Sequence, residues 1–134
     1  MNELMDQIKA IFENSGIGNV YTIFDPFLLK NRAERFILLS LRSYETLPFV
    51  CDKYWIHIPI KSELVITVAA PENSSADELY RFYDEKLADV VYQLSGTGSR
   101  PTAAGIAFDK EINRLTLKVS VKVLGMNDIR KETE

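Results

Sequence analysis

The chain has one histidine and one cysteine, His57 and Cys51, so chemistry that needs a paired base and nucleophile would have to use these two residues. A thiol becomes a nucleophile when a neighbouring base holds it as the thiolate, and that base must be oriented by a third group. The run Trp55-Ile56-His57-Ile58 places His57 in a strand, on the face shared with Trp55, and no motif supplies the orienting group. A zinc site of His and Cys ligands lacks its donors. The glycine string GTGSRPTAAG at 96 to 105 resembles a phosphate loop only in composition. Pro101 stands where the dinucleotide fingerprint needs its third glycine, no Gly-Lys-Ser/Thr is present, and the loop follows a helix where both templates follow a strand. The acids Asp84, Glu85 and Asp89 alternate with Arg81 and Lys86 as a solvated helix face does. The residues therefore predict no catalytic side chain, no metal ligand and no bound cofactor.

One charged pattern points instead to an interface. In RLTLKVSVKVL the apolar Leu115, Leu117, Val119, Val121 and Val123 share one face of a strand, which sends Arg114, Thr116, Lys118, Ser120 and Lys122 to the other. The result is a stripe with three cations, while the helix at 76 to 95 carries five acids and two bases. Such a stripe either guards a sheet against edge pairing or meets an acidic surface on a neighbouring molecule. Arg114, Lys118 and Lys122, with Arg100 from the glycine loop, are the candidate interface residues.

The elements that must carry these residues follow from periodicity. Leu4, Met5, Ile8, Ile11 and Phe12 have helical spacing, and Gly16 supplies a left-handed stop. VYTIF at 20 to 24 has strand composition, and Asp25-Pro26 opens a short helical turn to about Asn31. RFILLSLRSY reads as a central strand covered on both faces. Tyr54 to Ala70 alternates in two halves about Pro59, which implies either an edge strand with a bulge or a hairpin near Lys61. Ser75 and Glu78 form a capping box for a long helix whose apolar face is Leu79, Tyr83, Leu87, Val90, Val91 and Leu94. Residues 96 to 105 read as a flexible loop, and IAFD, a turn at 110 to 113 and RLTLKVSVKVL as a closing hairpin.

The fold class this predicts is α+β, a mostly antiparallel or mixed β-sheet with two main helices packed on one face. At 134 residues the chain suits a single domain, 1–134, with 126–134 expected to be a disordered tail. A net charge of −3 without a basic cluster argues against nucleic acid as a partner. The longest strongly apolar run, LVITVAA, is far short of the roughly 20 residues of a membrane-spanning helix, so no membrane association is expected. Early acids and a lone cysteine fit a cytoplasmic protein.

The order of elements, and the passage of a strand through LVITVAAPENSSADELY directly into a long helix followed by a loop and a closing strand pair, resembles the tail-terminator and tail-completion proteins of long-tailed bacteriophages and prophages. The resemblance covers residues 2 to 125 and brings no signature residues. It implies a non-enzymatic protein without cofactor, self-associating into a ring, commonly hexameric, that ends the tail tube and contacts tail-tube and head-tail connector proteins. Such a protein resides in the bacterial cytoplasm during assembly and then in the virion tail. GIAFDKEINRLTLKVSV is also similar to the closing hairpin of acidic dimeric secretion chaperones, although these normally end in a further helix.

Overall fold

A computed structural model describes residues 2–22, 34–71, 74–95 and 102–132. The order is α1 (Asn2–Asn14), β1 (Val20–Tyr21), β2 (Phe36–Thr46), β3 (Val50–Cys51), β4 (Trp55–Ala69), α2 (Ala76–Phe82), a π-helical segment (Tyr83–Leu87), α3 (Ala88–Ser95), β5 (Thr102–Asp109) and β6 (Arg114–Arg130). The segments from Ala76 to Ser95 follow one another without a break and form the second main helix. The strands form one mixed sheet in the order β1-β2-β4-β6-β5, with β3 alongside β4 and only β1 running parallel to its neighbour. The fold is α+β, as the periodicity predicts.

Both main helices cover the same face of the sheet. Ile8 and Phe12 of α1, and Leu79, Phe82, Leu87, Val90, Val91 and Leu94 of the second helix, pack on Ile37 and Leu39 of β2. The same core takes in Leu64, Ile66 and Val68 of β4 and Leu117, Val119, Val121 and Val123 of β6. Phe82 and Leu87 both reach this core although they are five residues apart. The π-helical turn between them widens the helical repeat and brings both to the sheet. Gly16 has φ +83°, the left-handed stop of α1.

Several sequence expectations are corrected. Ser75 occupies the N-cap position without a side-chain cap bond, and Ser74 Oγ donates to Glu78 instead, so the capping box does not form. Tyr54 to Ala70 is neither a bulged edge nor a hairpin. It forms one central strand, β4, fully paired with β6 from Trp55↔Arg130 to Ala69↔Thr116. Pro59 is tolerated there for a local reason. Its ring nitrogen and carbonyl face away from β6, just past the last β2–β4 pair Thr46↔Ile60, so the pairing with β6 needs no donor from it, and the carbonyl accepts the Leu47 N–H (2.9 Å).

β2 lies beside the central strand, not at the centre, and carries a bulge between Leu41 and Ser43 that turns Arg42 toward Glu63 (2.9 Å). Thr102 to Gly105, expected in the flexible loop, begin β5. Residues 126 to 130, expected in a disordered tail, continue β6, because the Trp55–Pro59 half of β4 needs a hydrogen-bonding partner on that side. The turn at Asp25-Pro26, residues 96–101 and the last two residues lie outside the described residues.

Candidate interaction surface

β6 positions the three cations of the stripe, but it does not treat them alike. Arg114 is buried at 2% exposure. Its Nη1 donates to the Glu34 carbonyl (2.8 Å) and, at 3.5 Å, to the Ala70 carbonyl, and the guanidinium stands 5.3 Å from the Phe36 ring centroid. This cation joins β6 to the starts of β2 and the end of β4, so its place in the candidate interface is corrected: it is a structural tie within the fold. Lys118 and Lys122 are exposed on the face opposite the helices, as the alternation requires. Arg100 lies outside the described residues.

The face that carries Lys118 is not a flat solvated surface. Phe36, Leu38, Val65, Thr67 and Thr116 are buried there, and with the β5–β6 turn they line a cavity of about 680 Å³, with Lys118 also on its wall. Farther along, β4 and β6 run past the helices as a ribbon joined by β3. On this ribbon Leu124 is 75% exposed, Met126 54% and Ile129 44%, with Val50 and Trp55 also open to solvent. Sequence reasoning missed this apolar end because Gly125, Asn127 and Asp128 interrupt the alternation. The length of β4 was the signal available.

His57 lies in the same ribbon between two carboxylates. Its Nδ1 is 2.6 Å from Asp128 Oδ1 and its Nε2 is 2.9 Å from Asp52 Oδ2. A carboxylate only accepts, so both ring nitrogens must donate and the ring is held as an imidazolium. The hydrogen bond to Asp128, then that to Asp52, raises the His57 pKa above its ordinary 6.5. The His57 bond, with the backbone N–H groups of Tyr54 (2.9 Å) and Trp55 (2.7 Å) on Oδ1, lowers that of Asp52 to about 2. An imidazolium donating both protons offers no base. Cys51 pairs with Ile56, so its side chain lies on the opposite face of the ribbon from His57, and the two are not a nucleophile and base.

The linkage has a definite sign. His57 stabilises the ribbon end fully below pH about 6.5 and loses this contribution as pH rises through its raised folded pKa, whereas Asp52 contributes above about 3.8 and loses it as pH falls toward about 2. An NMR titration of the His57 ring should give a midpoint above 6.5, lowered by Asp128→Asn. A midpoint at or below 6.5 would contradict the double clamp.

No family model matches this chain, and no curated protein matches it. Among solved structures it is similar to the type 4 fimbrial biogenesis protein PilO from Pseudomonas aeruginosa, at 15% identity and TM-score 0.25 over 95% of this chain and 69% of that one. It is also similar to the core region of PilO from the type IV pilus system of Pseudomonas aeruginosa, at 16% identity and TM-score 0.18 over 70% of this chain and 84% of that one. Likeness at these values carries no argument about role. Among the described residues, no helix is long and apolar enough to cross a membrane.

The exposed lysines remain testable apart from the buried arginine. Lys118→Glu should change stability by no more than about 0.5 kcal/mol, as exposed substitutions usually do, while weakening any contact with an acidic surface. Thermal unfolding and sedimentation beside the parent at low and moderate salt measure both. Unchanged sedimentation at both salts would remove Lys118 from the interface.

Proposed function

We propose that this chain is a non-catalytic assembly protein whose work is contact with other protein chains, in the form its sequence resembles: a tail-completion protein that self-associates into a ring, ends a phage tail tube and meets head-tail connector proteins. The observation that supports an assembly role is the apolar end of the β4–β6 ribbon, where Leu124, Met126 and Ile129 stand in solvent beyond the helices. Apolar groups grouped at one end of a molecule mark a surface that is covered in use.

The particle mass tests the ring. Sedimentation and electron microscopy of the purified chain, alone and with a tail-tube protein, should reveal closed rings of several copies that seat on tube ends. A mass that stops at two copies at every concentration would overturn the ring and move the role to a dimeric chaperone or adaptor that binds a protein client. That second reading is favoured by the self-complementary strand edge described next.

A further inference from the structure

The outer edge of β6 changes character at Ser120. Up to that residue it is paired with β5, where Thr102 faces Ser120, and from Val121 to Arg130 no described strand lies against it. Backbone groups alternate in direction along a strand. The Leu115 carbonyl and the Lys131 N–H both bond toward β4, at 2.9 and 2.7 Å, and the register between these points is unbroken. Odd-numbered residues of β6 therefore face β4, and Lys122, Leu124, Met126 and Asp128 direct their N–H and C=O groups outward. Such a row is a template for another strand.

This edge is complementary to itself. When a second copy is laid antiparallel about a two-fold axis at Gly125, Lys122 falls opposite Asp128 of the second copy and Leu124 opposite Met126, all on the face that carries Lys118. Val121 then falls opposite Ile129 on the helix-bearing face. Outward backbone groups meet outward backbone groups, each such pair exchanging two hydrogen bonds. The neighbouring registers that preserve this pairing are worse. Moving the axis to Met126 sets Lys122 against Arg130, two cations, and moving it to Leu124 sets Lys122 against Met126 and leaves only 121 to 127 to pair before Ser120, which β5 already holds. Only the Gly125 register joins opposite charges while covering the exposed Leu124 and Met126.

We propose that this chain pairs with a second copy of itself through residues 121 to 129 of β6, forming one continuous antiparallel sheet across a two-fold axis at Gly125. The helices of both copies then lie on the same face of the joined sheet. A two-fold contact closes on itself, so it makes pairs, and any larger ring must be built by other surfaces. The pairing does not depend on the tail-protein role.

The test introduces one thiol at the axis in a chain without the native one, Cys51→Ser with Gly125→Cys. Across the proposed pair the two α-carbons stand about 4.5 Å apart, within disulfide reach. Mild oxidation should convert this variant to a covalent dimer much faster than a control with Cys51→Ser and Lys110→Cys in the exposed β5–β6 turn. Separately, Lys122→Glu faces Asp128 of the second copy with a like charge and should weaken dimerisation at low salt by about tenfold, with an unchanged circular dichroism spectrum. A parent chain that sediments as a monomer at about 100 µM overturns the proposal. So does cross-linking no faster than the control, or a dimer that ignores Lys122→Glu. Should Gly125→Cys fail to fold, the Lys122→Glu comparison decides alone. Cross-linked pairs without rings would leave this contact standing and remove the ring, and rings without cross-linking would do the reverse.

Discussion

Arg114→Ala is expected to lower folding stability by about 3 kcal/mol, an effect of the size seen when a buried, hydrogen-bonded charged group is cut away. The guanidinium is the donor that reaches the Glu34 carbonyl at 2.8 Å, and the side chain fills space against Phe36, which is itself 2% exposed. Its loss withdraws that donor and leaves a void where the start of β2, the end of β4 and β6 meet. In urea or thermal unfolding the midpoint should fall clearly, by on the order of 10 °C for a chain of this size. Lys118→Glu and Lys122→Glu should stay within about 0.5 kcal/mol of the parent. If Arg114→Ala unfolds like the parent and alters only assembly, the side chain belongs to an interface after all. This contrast separates a cation that holds the fold from two that face outward on the same strand.

Phe12→Ala should cost about 3 to 5 kcal/mol, the range for truncating a buried aromatic side chain. Phe12 is fully buried and, with Ile8, is what α1 inserts between the sheet and the second helix. The chain leaves the helix at once, the Ile17 N–H bonding back to the Phe12 carbonyl at 3.1 Å, so the same residue fixes the entry into β1. β1 pairs with β2 through only Val20↔Ile37 and Tyr21↔Leu38, and Val20 is buried in the same core as Phe12. Amide exchange should therefore rise first in α1 and β1 of the variant, while the β4–β6 pair stays protected. Equal loss of protection across the sheet would show that α1 is part of one cooperative unit with the central strands.

The self-complementary edge and the His57 clamp meet at Asp128. Its carboxylate accepts from His57 within the chain and stands opposite Lys122 of the proposed second copy, so a rise in pH that removes the imidazolium proton alters the partners of the same acid that would join the pair. Both effects act within the few residues that extend past the helices.

The stripe of alternating apolar residues in 115 to 123, the helical spacing of 4 to 12 and 79 to 94, and the closing turn at 110 to 113 were legible in the sequence, because each depends on a repeat of two or 3.6 residues within one segment. They determined the class of fold and the face each helix covers. Tertiary structure alone decided the rest. Alternation sends Arg114 and Lys118 to the same side of β6, but only the approach of Glu34, Phe36 and Ala70 buries the first and leaves the second in solvent. The run after Val123, where Gly125, Asn127 and Asp128 interrupt the alternation, carries no strand signal of its own, and it became a strand because β4 continues unbroken past Pro59 and requires a partner. Hydrogen bonds between distant segments are not written in local periodicity, and the burial of a charge depends on which neighbours such bonds bring to it.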